Sequence, residues 1–357
     1  MKFSIITPTI YIPTFLTGYV ENARKWGHDD VDYVIIGDKK SPSGTAEFCR
    51  TIPNCTYLDV DAQIEYMKKF PRLAEHIPFN CAERINVGML WAYEHGTDLF
   101  AMINDDNFAT EDDMIGQHKK TGRVLEQTTV SSSSGWYNVC KALREKNFIE
   151  FYHRGYPTKQ KWSNGVLDVW TETRKIIVNE GLWIDNPDTD AITRMERPLE
   201  VKGHYLTIDF ALARGTWSPL NSQNTTIARE AVPAYFQSPY IGRHSDIWAG
   251  YVIDRLAEHF NHAVSFGRPL SRHTRSPHDL WKDLDLERKG MIMTDDFCDA
   301  LRSITLTATS YREGLAQIIA GLRPWAKANS KQNVGMVLDG MQLWYEAFDG
   351  RAIWDEF

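Results

Sequence analysis

Cysteine is scarce in this chain: there are five in 357 residues, at positions 49, 55, 81, 140 and 298. None of them stand at metal-ligand spacing, and an odd number leaves one without a partner, so neither a cysteine metal centre nor a disulfide scaffold is expected. A reducing, cytoplasmic compartment fits that usage. No apolar run approaches a membrane span, and the short one in Met1-Lys-Phe-Ser-Ile-Ile-Thr-Pro-Thr9 is too brief for a secretory signal, so no membrane partner is expected. An excess of positive charge is missing too. A net charge of −7 and a pI near 5.9 give no global attraction to nucleic acid or anionic lipid. The local exception is a basic patch of Arg268, Arg272, His273 and Arg275. Repeats and low-complexity segments are also absent. What remains, 43% hydrophobic and 24% charged, is an ordinary globular composition, able to bury one large core with an appended subdomain, or two domains.

The most informative stretch is Leu99-Phe-Ala-Met-Ile-Asn-Asp-Asp-Asn-Phe108. Its first half reads as a buried strand, which breaks into Asn104, Asp105, Asp106 and Asn107. Carboxylates crowded at a buried strand end repel one another and lose hydration, so a cation commonly joins them. Mg²⁺ or Mn²⁺ held by one or two carboxylates and by substrate phosphates is the usual solution. A solvated turn before a helix near Glu111 is the plainer one.

Upstream, Phe3–Thr7 reads as a first strand ended by Pro8, followed by a helical pattern to about Trp26. Tyr33–Ile36 is a second strand stopped by Gly37-Asp38, and Thr56–Asp59 a short third. Ala82–Glu94 is a helix, with Ile85, Gly88/Met89 and Ala92/Tyr93 at helical spacing. Thr129–Ser132 reads as another strand. Strand–helix alternation implies parallel strands with helices on both faces, and such sheets bind ligands at the strands' carboxyl ends. Thr7, Asp38 and Asp105/Asp106 all stand at such ends, so one cleft is expected to gather them. After about residue 135, Trp, Tyr, Gly and Pro become frequent, as in loops and short strands. Ser245–Phe260 is a strong helix with Ser245 as candidate N-cap. From Thr294 onward the pattern is helical and carries Trp325, Trp344 and Trp354.

The strand-to-Asp-Asp arrangement resembles the metal motif of GT-A nucleotide-sugar glycosyltransferases, and Arg84-Ile-Asn-Val-Gly88 resembles the helix that precedes it. Four later segments resemble the reversibly glycosylated polypeptide, or UDP-arabinopyranose mutase, family. They are His153-Arg-Gly-Tyr-Pro157, Gly181-Leu-Trp-Ile-Asp-Asn-Pro-Asp-Thr-Asp-Ala191, Ile241-Gly-Arg-His-Ser-Asp-Ile-Trp-Ala-Gly250 and Gly267-Arg-Pro-Leu-Ser-Arg-His273. They occur in the family's order within residues 3 to about 290. The chain departs from the pattern in three places. The family's Asp-Asp-Asp is Asn104-Asp105-Asp106. The second arginine after Arg-Gly-Tyr-Pro is replaced within Thr158-Lys-Gln-Lys-Trp162. The family's Tyr-Asp-Asp is His244-Ser245-Asp246.

The resemblance implies an α/β, GT-A-like (Rossmann-like), mostly parallel sheet with helices on both faces over residues 1–290; the last sixty-odd residues carry no such match, and their helical pattern is read as a C-terminal subdomain over 291–357. The helices of that subdomain are a place for core packing or homo-oligomer contact. The resemblance further implies a UDP-sugar donor, a pentose such as arabinose being the family's, with Mn²⁺ or Mg²⁺ as cofactor. The chemistry would be mutase or glycosyl transfer. The acceptor stays open between a small molecule, a polysaccharide and a nucleic-acid base, and a non-catalytic partner of an active homologue is the third reading.

Within that frame Asp106 is the first metal ligand and His273 the candidate third ligand, although a histidine beside arginines also serves as a surface or phosphate contact. Asn104 and Asp105 would orient the metal or the donor's hydroxyls. Thr7, Thr9 and Asp38 would hold uridine, or else simply serve the turns after their strands. Arg84 would pair with Asp105 or Asp38, or touch the base. Arg154 stands where the family is glycosylated. A protonated guanidinium is a poor nucleophile, so a clamp on the leaving diphosphate, shared with Arg243, is the favoured role. Asp188, Asp190 and Asp246 are the acids expected to meet the sugar, with helix capping as the alternative for Asp246. Trp183 and Trp248 would face sugar C–H groups, or lie in the core.

Overall fold

The structure is a computed structural model that describes residues 1–163, 165–205, 209–275 and 279–348. Twelve strands in the described residues join one sheet: Phe3–Pro8 (β1), Val31–Ile36 (β2), Cys55–Leu58 (β3), Leu99–Ile103 (β4), Asn107–Ala109 (β5), Val124–Ser132 (β6), Leu143–Glu145 (β7), Leu167–Asp185 (β8), Val201–His204 (β9), Phe210–Leu212 (β10), Asn224–Ala228 (β11) and Ala263–His273 (β12). The apolar runs of β1, β2 and β4 are buried on both faces, as parallel central strands require. β1 pairs in parallel with β2 and β4, and β2 with β3, in the order β3-β2-β1-β4. The helices Leu16–Lys25 and Ile85–Glu94 form where the periodicity places them, the latter packed on β1 and β2.

Beyond β4 the sheet becomes mixed. β11 runs antiparallel to β4 and to β8, β8 is antiparallel to β6 and parallel to β12, and β12 is antiparallel to β5. The parallel character that was expected of the whole sheet therefore belongs chiefly to the first four strands of a mixed α/β sheet. β8 is 19 residues long, where loops and short strands were expected. Its first half, Leu167 to Glu172, is solvent-exposed or partly so, and from Ile176 to Trp183 it is buried on both faces. Such a strand has no single periodicity to read. Likewise Thr129–Ser132 is the end of the longer β6.

The turn after β4 leads first into β5, and the following helix is Met114–His118, capped by Asp113 through the Gly116 N–H at 2.8 Å. The helix Ser245–Phe260 is present, but Ser245 is its first residue and no side chain caps it. Three helices close the described chain: Leu280–Ser303, Tyr311–Ala328 and Gly335–Ala347. The first runs unbroken through residue 290, and its Met293, Phe297 and Leu301 share one core with Trp248, Leu256 and Trp344. Trp354 lies outside the described residues. All five cysteines are unpaired thiols. Among the described residues no helix is long and apolar enough to cross a membrane.

Candidate functional site

The carboxyl ends of β1, β2 and β4 open together on a cavity of about 350 Å³. Its wall includes Thr9, Asp38, Arg84, Asn104, Asp105 and Asp106, so the three expected strand ends do converge. Thr7 is the exception: it is fully buried in β1, behind the cavity wall. Asp38 accepts the Lys39 N–H at 2.6 Å and the Asn80 N–H at 2.7 Å, tying the end of β2 to the loop ahead of helix Ile85–Glu94. Asn80 has φ of 61°, a left-handed turn position that asparagine tolerates. The Thr9 hydroxyl donates to Asp105 Oδ2 at 2.7 Å and accepts from the Tyr11 N–H at 3.0 Å. Burial raises the Asp105 carboxyl's pKa; the Thr9 hydrogen bond opposes that and the Asp106 charge adds to it.

Arg84 does not pair with Asp38 or Asp105. Its Nε and Nη2 donate to Gln63 Oε1 at 2.8 and 2.6 Å, its Nη1 donates to the Ile77 carbonyl at 3.0 Å, and its plane covers the Phe79 ring at 4.1 Å. Three of its five N–H groups are used in this way. Gln63 in turn donates to the carbonyls of Gly37 and Leu58, locking the guanidinium to the ends of β2 and β3.

Asp106 and His273 meet at the cavity's edge. Register explains it: β12 lies antiparallel to β5 with His273 opposite Asn107, the residue after Asp106. His273 Nε2 stands 3.1 Å from Asp106 Oδ2, and its Nδ1 is 2.7 Å from the Asn186 carbonyl. That carbonyl can only accept, so Nδ1 carries a proton and Nε2 is left to face the carboxylate. Burial lowers the imidazole's pKa, but the hydrogen bond and charge of Asp106 outweigh it and the net direction is upward. The other Asp106 oxygen, Oδ1, is buried with no partner. An orphan carboxylate oxygen beside an imidazole oriented by a carbonyl fits a divalent cation. No group of three His, Cys, Asp or Glu side chains among the described residues could hold such an ion without help. Ligands from a bound diphosphate would have to complete the set.

The second expected cluster has a different arrangement. Arg154 is 5% exposed and does not line the cavity. Its Nε and Nη2 donate to Asp188 at 2.9 Å each, its Nη1 and Nη2 to Asp246 at 3.0 and 2.9 Å, and Nη1 also to the Arg243 carbonyl. All five N–H groups are thereby used, so the diphosphate clamp has no donor left. Desolvation opposes ionisation of Asp188, but Arg154, His153 and Asn221 hold its carboxyl far below the usual range. Asp246 also accepts the Ser222 N–H at 3.2 Å, and so acts as an Arg154 partner rather than a helix cap. Asp190 caps a different, short helix, Ala191–Glu196, accepting the Thr193 N–H at 2.8 Å, and pairs with Lys161 at 2.9 Å. These acids are spent on internal partners and not on a sugar. Arg243 points to Glu287 at 3.2 Å.

Trp183 and Trp248 are fully buried, the latter stacked on Phe297 at 3.9 Å, so neither is a sugar platform. The basic patch is neutralised member by member: Arg268 by Asp209, Arg272 by Asp185, His273 by Asp106 and Arg275 by Asp283. Sequence reading missed Gln63 and Asn80, which build the cavity, and Glu180 and Asn221, which complete the Arg154 network. No local pattern marks them, because their partners lie in other elements.

The parallel strands β1, β2 and β4 end on a carboxylate-lined cavity to which β12 returns a histidine, the layout of an α/β fold that binds its ligand at the strands' carboxyl ends. The family model for the reversibly glycosylated polypeptide matches residues 147–350, and the chain belongs to that family. It is 29% identical over 184 residues to UDP-arabinopyranose mutase 1 of Arabidopsis thaliana, covering 48% of this chain and 50% of that one. To the probable UDP-arabinopyranose mutase 2 of Solanum tuberosum it is 27% identical over 257 residues, covering 69% and 66%. The aligned stretch thus spans about half to two thirds of the length of these relatives. Among solved structures, TarS of S. aureus in complex with UDP aligns at TM-score 0.36 and 10% identity, covering 98% of this chain and 91% of that one.

Proposed function

We propose that this chain is an enzyme that binds a uridine diphospho-sugar in the cavity at the ends of β1, β2 and β4, with Mn²⁺ or Mg²⁺ at Asp106 and His273. The observation that carries the reading is the Asp106 carboxyl on the wall of a cavity of about 350 Å³, one oxygen facing His273 Nε2 and the other, Oδ1, buried without a partner. The cation would supply charge neutralisation for a departing diphosphate. Asp38 keeps lone pairs to accept from uracil or ribose, since each oxygen takes one backbone N–H. Arg84, pinned by Gln63, presents a fixed positive charge to the nucleotide. Breaking the anomeric C–O bond leaves its electron pair on the diphosphate oxygen. The sugar passes either back to UDP in another ring form or to an acceptor hydroxyl, whose proton is released. The membership and the mutase relatives favour the first route, with a pentose donor. Asn104, standing on the wall where the family motif carries an aspartate, favours as a second reading a sugar-nucleotide-binding partner without turnover.

Calorimetric titration tests the binding step. UDP is expected to bind wild type about tenfold more tightly with Mn²⁺ than without, and Asp106→Asn is expected to lose that gain while unfolding at a similar temperature. A wild-type protein that binds UDP equally well with and without Mn²⁺ removes the metal, and one that does not bind UDP removes the reading. Products from UDP-arabinopyranose then separate isomerised donor, free UDP and no turnover.

A further inference from the structure

The exposed half of β8 runs beyond the strands that flank its buried half. β12 pairs with β8 from Ile176 onward and β11 from Val178, whereas Leu167 to Lys175 pair with β6 alone, without a bulge. Among the described residues no strand takes the other edge of these nine, so their outward backbone N–H and C=O groups form an unpaired ladder. Folded proteins usually blunt such an edge with proline, lysine, a bulge or a covering segment. Leu167–Thr173 holds no proline, lysine or glycine, and Val169, Trp170, Thr171 and Thr173 are residue types that suit a strand. Apolar surface also gathers here: Val166, Leu167, Val169 and Trp170 are all exposed, Val169 to 64%. An edge of this kind can receive one more strand.

The order of charges says which strand fits. Asp168 and Glu172 precede Arg174 and Lys175, so the segment is complementary to its own reverse. Antiparallel pairing about a two-fold axis at Thr171, the midpoint of the nine, uses the whole edge. It sets Asp168 opposite Arg174, Trp170 opposite Glu172, Leu167 opposite Lys175, Val169 opposite Thr173, and Thr171 opposite itself. No like charges meet, and the Thr–Thr and Val–Thr pairs are of the kind that stabilise a sheet. Sliding the copy by two residues either way brings Asp168 against Glu172, or Glu172 against its own copy. A parallel copy in register stacks each charge on itself. Arg174 is already 3.1 Å from Glu172, so the match removes repulsion more than it adds a bond. We propose that this edge is a homodimer interface, at which two copies of the chain pair Leu167–Lys175 antiparallel about Thr171 and join their sheets. Thr171 stands fourteen residues before Asp185, the β8 residue opposite His273, up to roughly 45 Å along an extended strand. Pairing there leaves the cavity of Asp38, Asp105 and Asp106 open and does not depend on what that cavity binds.

Analytical ultracentrifugation of the full chain over a concentration series tests the interface. Wild type is expected to shift with concentration from the 41.1 kDa of one chain to twice that mass. Thr171→Lys sets two lysines against each other on the axis, and is expected to weaken the dimer at least about tenfold while its exposed position keeps cooperative thermal unfolding. The register has its own readout. Thr171→Cys, treated with a short bismaleimide, is expected to give a covalent dimer whose linked peptides both carry position 171, and wild type treated in the same way is expected to give none. A wild type that stays monomeric at every concentration overturns the proposal and leaves the edge to some other partner. A dimer that Thr171→Lys leaves intact, or one in which Thr171→Cys does not link, also overturns it and moves the contact elsewhere, the C-terminal helices included. If Thr171→Lys fails to fold, the linking of Thr171→Cys decides alone.

Discussion

At the scale of single residues, Arg154 shows how little a residue's identity says about its partners. Its motif position and its charge both suggested contact with a substrate, yet two carboxylates and a carbonyl consume every donor it has. A lysine offers three donors at a point and cannot span both carboxylates. Arg154→Lys is therefore expected to cost about 3 kcal/mol of stability by leaving a buried acid underpaired, read as a lower denaturant midpoint. In the same arrangement, wild-type protein incubated with UDP-sugar is expected to gain no glycosyl mass at Arg154 by intact-protein mass spectrometry, since the guanidinium is protonated and enclosed. Asp188 gives a pH signature. Burial alone would raise its pKa, but Arg154 brings it well below the ordinary value near 3.8. A depressed carboxyl adds stability that is present above that ordinary value and is lost as pH falls through the depressed one. Asp188→Asn is expected to be less stable than wild type by about 3–5 kcal/mol at pH 7. The gap should narrow as the pH drops below about 4, measured by urea unfolding across the range. A gap independent of pH would mean that the asparagine fails for packing reasons and not for loss of charge.

At the scale of elements, legibility followed the range of the forces involved. β1, β2, β4 and the helices Leu16–Lys25, Ile85–Glu94 and Ser245–Phe260 were readable because each buries a face, or both faces, in a regular local pattern. β8 was not, since it leaves solvent for the core midway, and Asn179, Glu180 and Gly181 interrupt its buried half. The acidic turn and the convergence of Asp38 with Asp105 and Asp106 were legible from strand ends. The Asp106–His273 contact needed the β5–β12 register, which no local pattern shows. Backbone geometry at one motif glycine yields a sharper prediction. Gly242 sits at φ +60°, and a Cβ there would stand 2.0 Å from the Leu286 carbonyl oxygen of helix Leu280–Ser303. That close approach lets Arg243 reach Glu287 and lets its carbonyl meet Arg154. Gly242→Ala is expected to cost about 2–4 kcal/mol from strain and displaced backbone. Thermal unfolding checks it, and a substitution that leaves the melting temperature in place would show that the helix can withdraw freely.

At the scale of the whole molecule, the question is whether residues beyond 290 form a unit of their own, as the helical composition of the tail suggests. The packing points the other way. Residue 290 lies inside the helix Leu280–Ser303, so a cut there severs a continuous hydrogen-bonded ladder. Downstream of the cut, Phe297 stacks flat on Trp248 at 3.9 Å, and Thr294 accepts the Trp248 indole N–H at 3.0 Å. Trp344 is fully buried and donates to the Val232 carbonyl at 3.1 Å, joining the last helix to the segment after β11. Asp295 accepts the backbone N–H groups of Thr158 and Lys159, just past the Arg-Gly-Tyr-Pro turn. Burying one large apolar side chain contributes about 1.5–3 kcal/mol. Met293, Phe297, Leu301, Leu315, Ile318, Leu322 and Trp344 are all in the shared core. Their loss together, about 10–20 kcal/mol, is as large as the roughly 5–15 kcal/mol by which a folded domain is stable. A chain of residues 1–290 is accordingly expected to show no cooperative thermal transition, to expose tryptophan to solvent in its fluorescence, and to lose UDP binding along with its fold. A 1–290 protein that melts cooperatively and titrates with UDP like the full chain would establish the tail as a separable subdomain, and the core described here would then be two.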